Sequence, residues 1–147
     1  PGAWRSIYQV TDSAHFASAA LWAATDPRCA GQAYNITNGD CFRWCNLWPR
    51  FADVFEMPWA EPQTISLTAQ MADKAPLWDA MVRRHGLQPF AFDQVAAWPF
   101  GDYVFGSDWD VLSNLTKSRQ HGFHDVVDSE EMFVRLLGQF RRDRIVP

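Results

Sequence analysis

The sequence lacks the devices that would let it run nucleotide chemistry by itself. Its eight glycines form no Gly-x-Gly-x-x-Gly run, and Gly101 and Gly106 are spaced too widely to cradle a pyrophosphate. No P-loop Lys and no nucleophile-elbow Ser is present. None of the three tyrosines has a Lys four residues on: Tyr8 is followed by Asp12, Tyr34 by Asn38 and Tyr103 by Ser107. Basic runs are missing too. The densest cluster is Arg141, Arg142 and Arg144, in a chain of net charge −4, so no nucleic-acid partner is expected. No apolar run approaches the roughly 20 residues of a membrane span. Cysteine is scarce: Cys29, Cys41 and Cys45 make an odd count, and no secretory signal is visible. Reduced thiols and a cytoplasmic location are expected. Cys41 and Cys45 have no His or further Cys nearby to complete a zinc set. In that compartment the sequons at Asn35 and Asn114 carry no weight. A first residue of Pro is expected of a chain processed or cut from something longer.

What is abundant is aromatic. The 147 residues include eight Trp and eleven Phe, with 48% apolar and 20% charged residues overall. That composition describes one folded domain with a real core. The rings serve either that core or a site for a bulky apolar ligand.

The stretch from Ala33 to Phe55 organises the rest. Ala33 to Thr37 alternates as a short strand, and Asn38-Gly39-Asp40 follows as a turn. Trp44, Leu47, Trp48, Phe51 and Phe55 then fall on one helical stripe, with Pro49 as an interruption. A five-residue strand needs sheet neighbours, and few are visible: Ile7 to Val10, and a minimal Ile65-Ser66-Leu67. Helices are easier to find. Thr11 or Asp12 caps an Ala-rich helix that ends at Asp26-Pro27, with Phe16, Ala20 and Ala23 sharing a side. Thr68 to Lys74 is weakly helical. Pro76 opens a helix closed by Gly86, its apolar stripe Leu77, Trp78, Met81 and Val82. Asp93 caps a short helix, and Ser113 or Asn114 starts another closed by Gly122. Asp128 and Glu131 form a capping box for a last helix that buries Met132, Phe133, Leu136, Leu137 and Phe140. Trp98 to Gly106 reads as the least regular and most aromatic segment. The class is α/β, helix-rich, in a single region spanning residues 1–147.

Isolated chemistry-bearing residues have plain readings. His15, His85, His121 and His124 are the groups of convenient pKa, and surface placement near helix ends is the ordinary role. Asp108 and Asp110 flank Trp109 as a glycosidase pair would, but helix capping is commoner.

Several segments together resemble a known family. ALWAATDP, AYNITNGDCFRWCNLWPRFADVF, MADKAPLWDAMVRRHGL, WPF, TKSRQHGF and a closing IVP occur in that order. They resemble the C-terminal part of progesterone 5β-reductase/iridoid synthase-like enzymes, extended short-chain dehydrogenase/reductases of the epimerase/dehydratase superfamily. A bacterial member of that family is expected. The resemblance implies a C-terminal substrate domain plus elements that dock on a Rossmann sheet, with the Rossmann half absent from this chain. It further implies NADP(H) in the parent protein, none in this fragment alone, and reduction of an enone in a small apolar carbonyl substrate. Family pocket positions map onto Phe100 through WPF, where Pro99 departs from the pattern, and onto Ser107. Trp98 and Tyr103 join them as neighbouring rings of the aromatic segment, and Met71 as a residue able to flap over the pocket. No catalytic, cofactor or metal residue is expected within the chain. A homo-oligomer and the missing nucleotide half are the expected protein partners. The rival reading is a non-enzymatic small-ligand or protein-interaction domain.

Overall fold

The computed structural model describes residues 2–147. A 3-10 turn at Gly2–Trp4 leads to β1 (Ile7–Tyr8), and Asp12 then caps α1 (Ser13–Thr25). The Asp12 carboxylate accepts the Ala14 amide at 2.6 Å and the His15 amide at 3.3 Å, satisfying two donors that helix geometry leaves free. A second 3-10 turn, Pro27–Cys29, follows where proline stops the helix.

β1 pairs antiparallel with β2 (Phe42–Arg43), Ile7 opposite Arg43 and Tyr8 opposite Phe42. The strand expected at Ala33 to Thr37 does not form. No ladder reaches that segment among the described residues, and side chains take several of its carbonyls instead. Lys117 Nζ donates to Ala33 O, Thr11 Oγ1 to Ile36 O, and His15 Nε2 lies 3.0 Å from Thr37 O.

α2 (Trp44–Val54) continues past Pro49, whose missing N–H leaves the Cys45 carbonyl without its usual helical donor. Ile65 to Leu67 is not a strand: Ser66 caps α3 (Leu67–Met71), its hydroxyl accepting the Ala69 amide at 3.2 Å. α4 (Ala75–His85) has Pro76 in its first turn and ends on Gly86 at φ +62°, a left-handed conformation that favours glycine. It buries Trp78, whose indole donates to Phe90 O, while Leu77 of the expected stripe faces solvent. α5 (Phe92–Val95) is capped at Ala91, with Asp93 inside its first turn. α6 (Trp98–Gly106) replaces the expected irregular segment, and α7 (Thr116–Gln120) starts two residues later than Asn114, whose side chain accepts the Thr116 amide. α8 (Ser129–Arg142) is capped by Asp128 through the Glu131 amide at 2.9 Å. It buries Met132, half-buries Phe133, Leu136 and Leu137, and leaves Phe140 exposed.

The core is built from rings. Ala3, Tyr8, Phe42, Trp44 and Leu47 are buried together, with Phe51, Val104, Phe105 and Phe133 packed against them. The Trp44 ring lies 5.1 Å from Phe42 and 5.0 Å from Phe105, both edge-on, the arrangement ring quadrupoles prefer. α2 packs on α8, where Phe51 meets Phe133 edge-on. Part of the aromatic surplus is accounted for by this cluster and a smaller one of His15, Trp22, Tyr34 and Phe123.

A polar hub ties the ends of the chain together. Asn38 is fully buried; its Oδ1 accepts the Asp12 amide at 2.6 Å and its Nδ2 donates to Ser129 Oγ at 3.1 Å. Asp40 accepts from both the amide and the hydroxyl of Ser129. Arg135 of α8 donates to Asp12. The Asn-Gly-Asp turn thus joins the start of α1 to the start of α8.

Candidate functional site

α6 carries most of the candidate residues, and its sequence explains its placement. Pro99 sits in the first turn, where a missing N–H costs nothing. Val104 and Phe105 point at the core: Tyr8 Oη donates to Val104 O at 2.9 Å, and Phe105 packs on Trp44 and Trp48. Phe100 and Tyr103, three apart, lie elsewhere on the helix. Each is 66% exposed, and their rings stand 6.4 Å apart at 31°. Two large rings left that open on a helix pinned from behind make an apolar face.

Gly101 and Asp102 meet α3. A Cβ on Gly101 would lie 2.8 Å from Leu67 Cδ1, so the two helices approach at the glycine. The Asp102 carboxylate accepts three hydrogen bonds from the start of α3: Leu67 N at 2.5 Å, Thr68 N at 3.0 Å and Ser66 Oγ at 3.0 Å. The Thr68 amide, with the Thr68 and Ser66 hydroxyls and the Leu67 amide, holds this carboxyl at about 2, below its ordinary 3.8.

The candidate residues fall as follows. Trp98 begins α6, half-buried, with its ring 5.5 Å from Phe92; its indole N–H is buried and has no acceptor among the described residues. Phe100 and Tyr103 form the exposed pair. Ser107 caps the C-terminal end; it is buried and its hydroxyl donates to Tyr103 O at 3.0 Å, so it stands behind the face. Met71 ends α3, half-buried, on the helix that packs against α6. Sequence patterning alone missed Asp102 and the helical state of the segment. The available signals were Pro99 at a first-turn position and the Phe100/Tyr103/Ser107 spacing of three and four.

Elsewhere, Tyr34 Oη lies 2.7 Å from His121 Nδ1, with Lys117 Nζ 5.1 Å from the centre of its ring. Burial first, then the Cys29 thiol, push the Tyr34 hydroxyl up to about 12, so it stays protonated and is poorly suited to give up a proton. Asp110 accepts the Ile7 amide at 2.8 Å, a structural task. A hollow of about 200 Å³ runs along α1, lined by Phe16, Ala20, Trp22 and Ala23 with Tyr34 and Ile36. The side of α1 shared by Phe16, Ala20 and Ala23 is therefore open, and the helix buries His15 and Ala19. No helix is long and apolar enough to cross a membrane among the described residues.

No family model matches the chain. Its similarity is to reductase-type oxidoreductases of the iridoid synthase and steroid 5β-reductase kind, in their C-terminal part. An (S)-8-oxocitronellyl enol synthase of Nepeta cataria is 34% identical over 150 residues, covering 99% of this chain. One from Camptotheca acuminata is 32% identical over 149 residues. A 3-oxo-Delta(4,5)-steroid 5-beta-reductase of Arabidopsis thaliana is 29% identical over 148 residues. The chain spans about 38% of the length of each of these relatives. All three are plant proteins and lend no support to a bacterial origin.

Proposed function

We propose that this chain is the substrate-binding part of an NADP(H)-dependent oxidoreductase that reduces the activated C=C bond of a bulky apolar carbonyl compound. The observation that carries the reading is the exposed Phe100–Tyr103 pair on a core-anchored helix, in a chain that aligns end to end with reductases. Apolar rings of this kind hold an apolar substrate by removing its surface from water. Phe100 and Tyr103 are the contact residues, Trp98 and Met71 flank them, and Ser107 backs them. Hydride and acid chemistry belong to a nucleotide-binding half outside this chain. The hollow along α1 and the unpaired 33–37 segment serve as the face on which that half docks.

The test uses the full-length parent protein. Phe100→Ala should lower kcat/KM for an apolar enone by the equivalent of about 1–3 kcal/mol, the scale for burying such a side chain. The NADPH Kd should hardly move. Loss of cofactor binding in parallel would mean that Phe100 supports the fold and not the pocket.

A further inference from the structure

We infer that Asp102 is a positioning residue that fixes α3, and with it Met71, on α6, the helix that carries the Phe100–Tyr103 pair; this rests on the substrate-binding reading above. Neither α3 nor α6 contains a buried residue, so burial alone does not anchor α3. α3 has only five residues, too few to persist by helix propensity. Its contacts within the fold are made mainly to α6. What joins the two is a single carboxylate taking three donors from 34 to 36 residues away in sequence, beside the Gly101 approach to Leu67. Charge-assisted bonds to backbone amides are among the stronger hydrogen bonds available at a surface. The same helix sends Val104 and Phe105 into the core. Asp102 therefore transmits the position of the core to α3 and to the residue at its far end, Met71.

A local cap and a true anchor differ at Gln70. Its amide bonds Ser66 O at 2.9 Å and makes no contact with Asp102, so it reports on α3 as a whole. Amide exchange by NMR is measured on the full-length parent protein and on its Asp102→Ala variant, with Asp102→Asn as the variant that keeps one acceptor. The expected result is at least tenfold faster exchange at Leu67, Thr68 and Gln70 in Asp102→Ala, intermediate rates in Asp102→Asn, and unchanged α8 amides. Acceleration confined to Leu67 and Thr68, or spread equally to α8, overturns the inference. If Asp102→Ala does not fold, Asp102→Asn alone gives the same comparison. In the full-length protein, Asp102→Asn should raise KM for a bulky enone about tenfold and leave KM for NADPH unchanged. A parallel rise in both overturns the positioning role. A full-length protein that reduces no enone overturns the reductase reading, and the exchange rates then decide the anchor independently.

Discussion

Asn38 has no exposed surface, and its side chain bonds two elements at once. Replacing it with Ala leaves the Asp12 amide without an acceptor in a dry site and takes one donor from the Ser129 hydroxyl, which keeps its bond to Asp40. Unfolding in urea should show a loss of about 2–3 kcal/mol, near the upper end of the cost of an unsatisfied buried group. A loss below about 0.5 kcal/mol would mean that water enters and replaces the amide. Asp12 beside it is pulled two ways. Burial raises its carboxyl pKa; the Ala14 and His15 amides and the Arg135 guanidinium outweigh this and lower it below 3.8. A depressed folded value contributes stability above the unfolded pKa and loses it as pH falls through the folded one. Acid unfolding should therefore begin below about pH 4 and be shallower in Asp12→Asn. Of this, only the capping role of Asp12 was legible in the residue string. Asn38 reads as a turn residue because Asn-Gly is common in turns, and nothing local announces a partner 91 residues away.

Helices were readable where their ends carry a signal. Asp12, Pro76, Gly86 and Asp128 each mark a boundary that the structure keeps, because caps act within one turn and need no tertiary partner. α6 was hidden because Pro99, Gly101 and Gly106 are all weak helix formers and read as breakers. In the fold the first sits where proline is favoured, and the second faces the end of the Leu67 side chain where α3 comes close. Gly101→Ala should thus be nearly neutral, since the obstructing atom is the end of the movable Leu67 side chain and Ala favours helix. Gly101→Val leaves no such escape. It should separate α3 from α6 and speed Gln70 exchange, while the melting temperature falls by no more than a few degrees. The expected strand at residues 33–37 failed for the opposite reason. Its alternation is genuine, but strands are stabilised by neighbours, and the described residues supply none there.

At the scale of the molecule, apolar surface is left open in several places. Phe16, Leu21, Met57, Trp59, Phe100 and Tyr103 are each at least 49% exposed, and the hollow along α1 adds to them. The isolated chain should self-associate as its concentration rises, which sedimentation velocity would show; a strictly monomeric species throughout would argue against open docking faces. Titrating NADPH while following Trp fluorescence should give no saturable change at micromolar concentrations, because no glycine turn opens a helix toward a pyrophosphate. Saturable binding would reveal a cofactor site that the glycine pattern does not announce. The buried Asn38 hub also sets an order of events during synthesis. Its partners Asp12 and Ser129, and the Arg135 that reaches Asp12, lie up to 123 residues apart. A nascent chain that has displayed α1 and the Asn-Gly-Asp turn still lacks the helix that closes the hub. Until residues 129–142 emerge, those amides and carboxylates stay wet and the ring cluster lacks Phe133. Truncation before α8 should accordingly yield a chain that chaperones retain and proteases remove, and not a smaller folded domain.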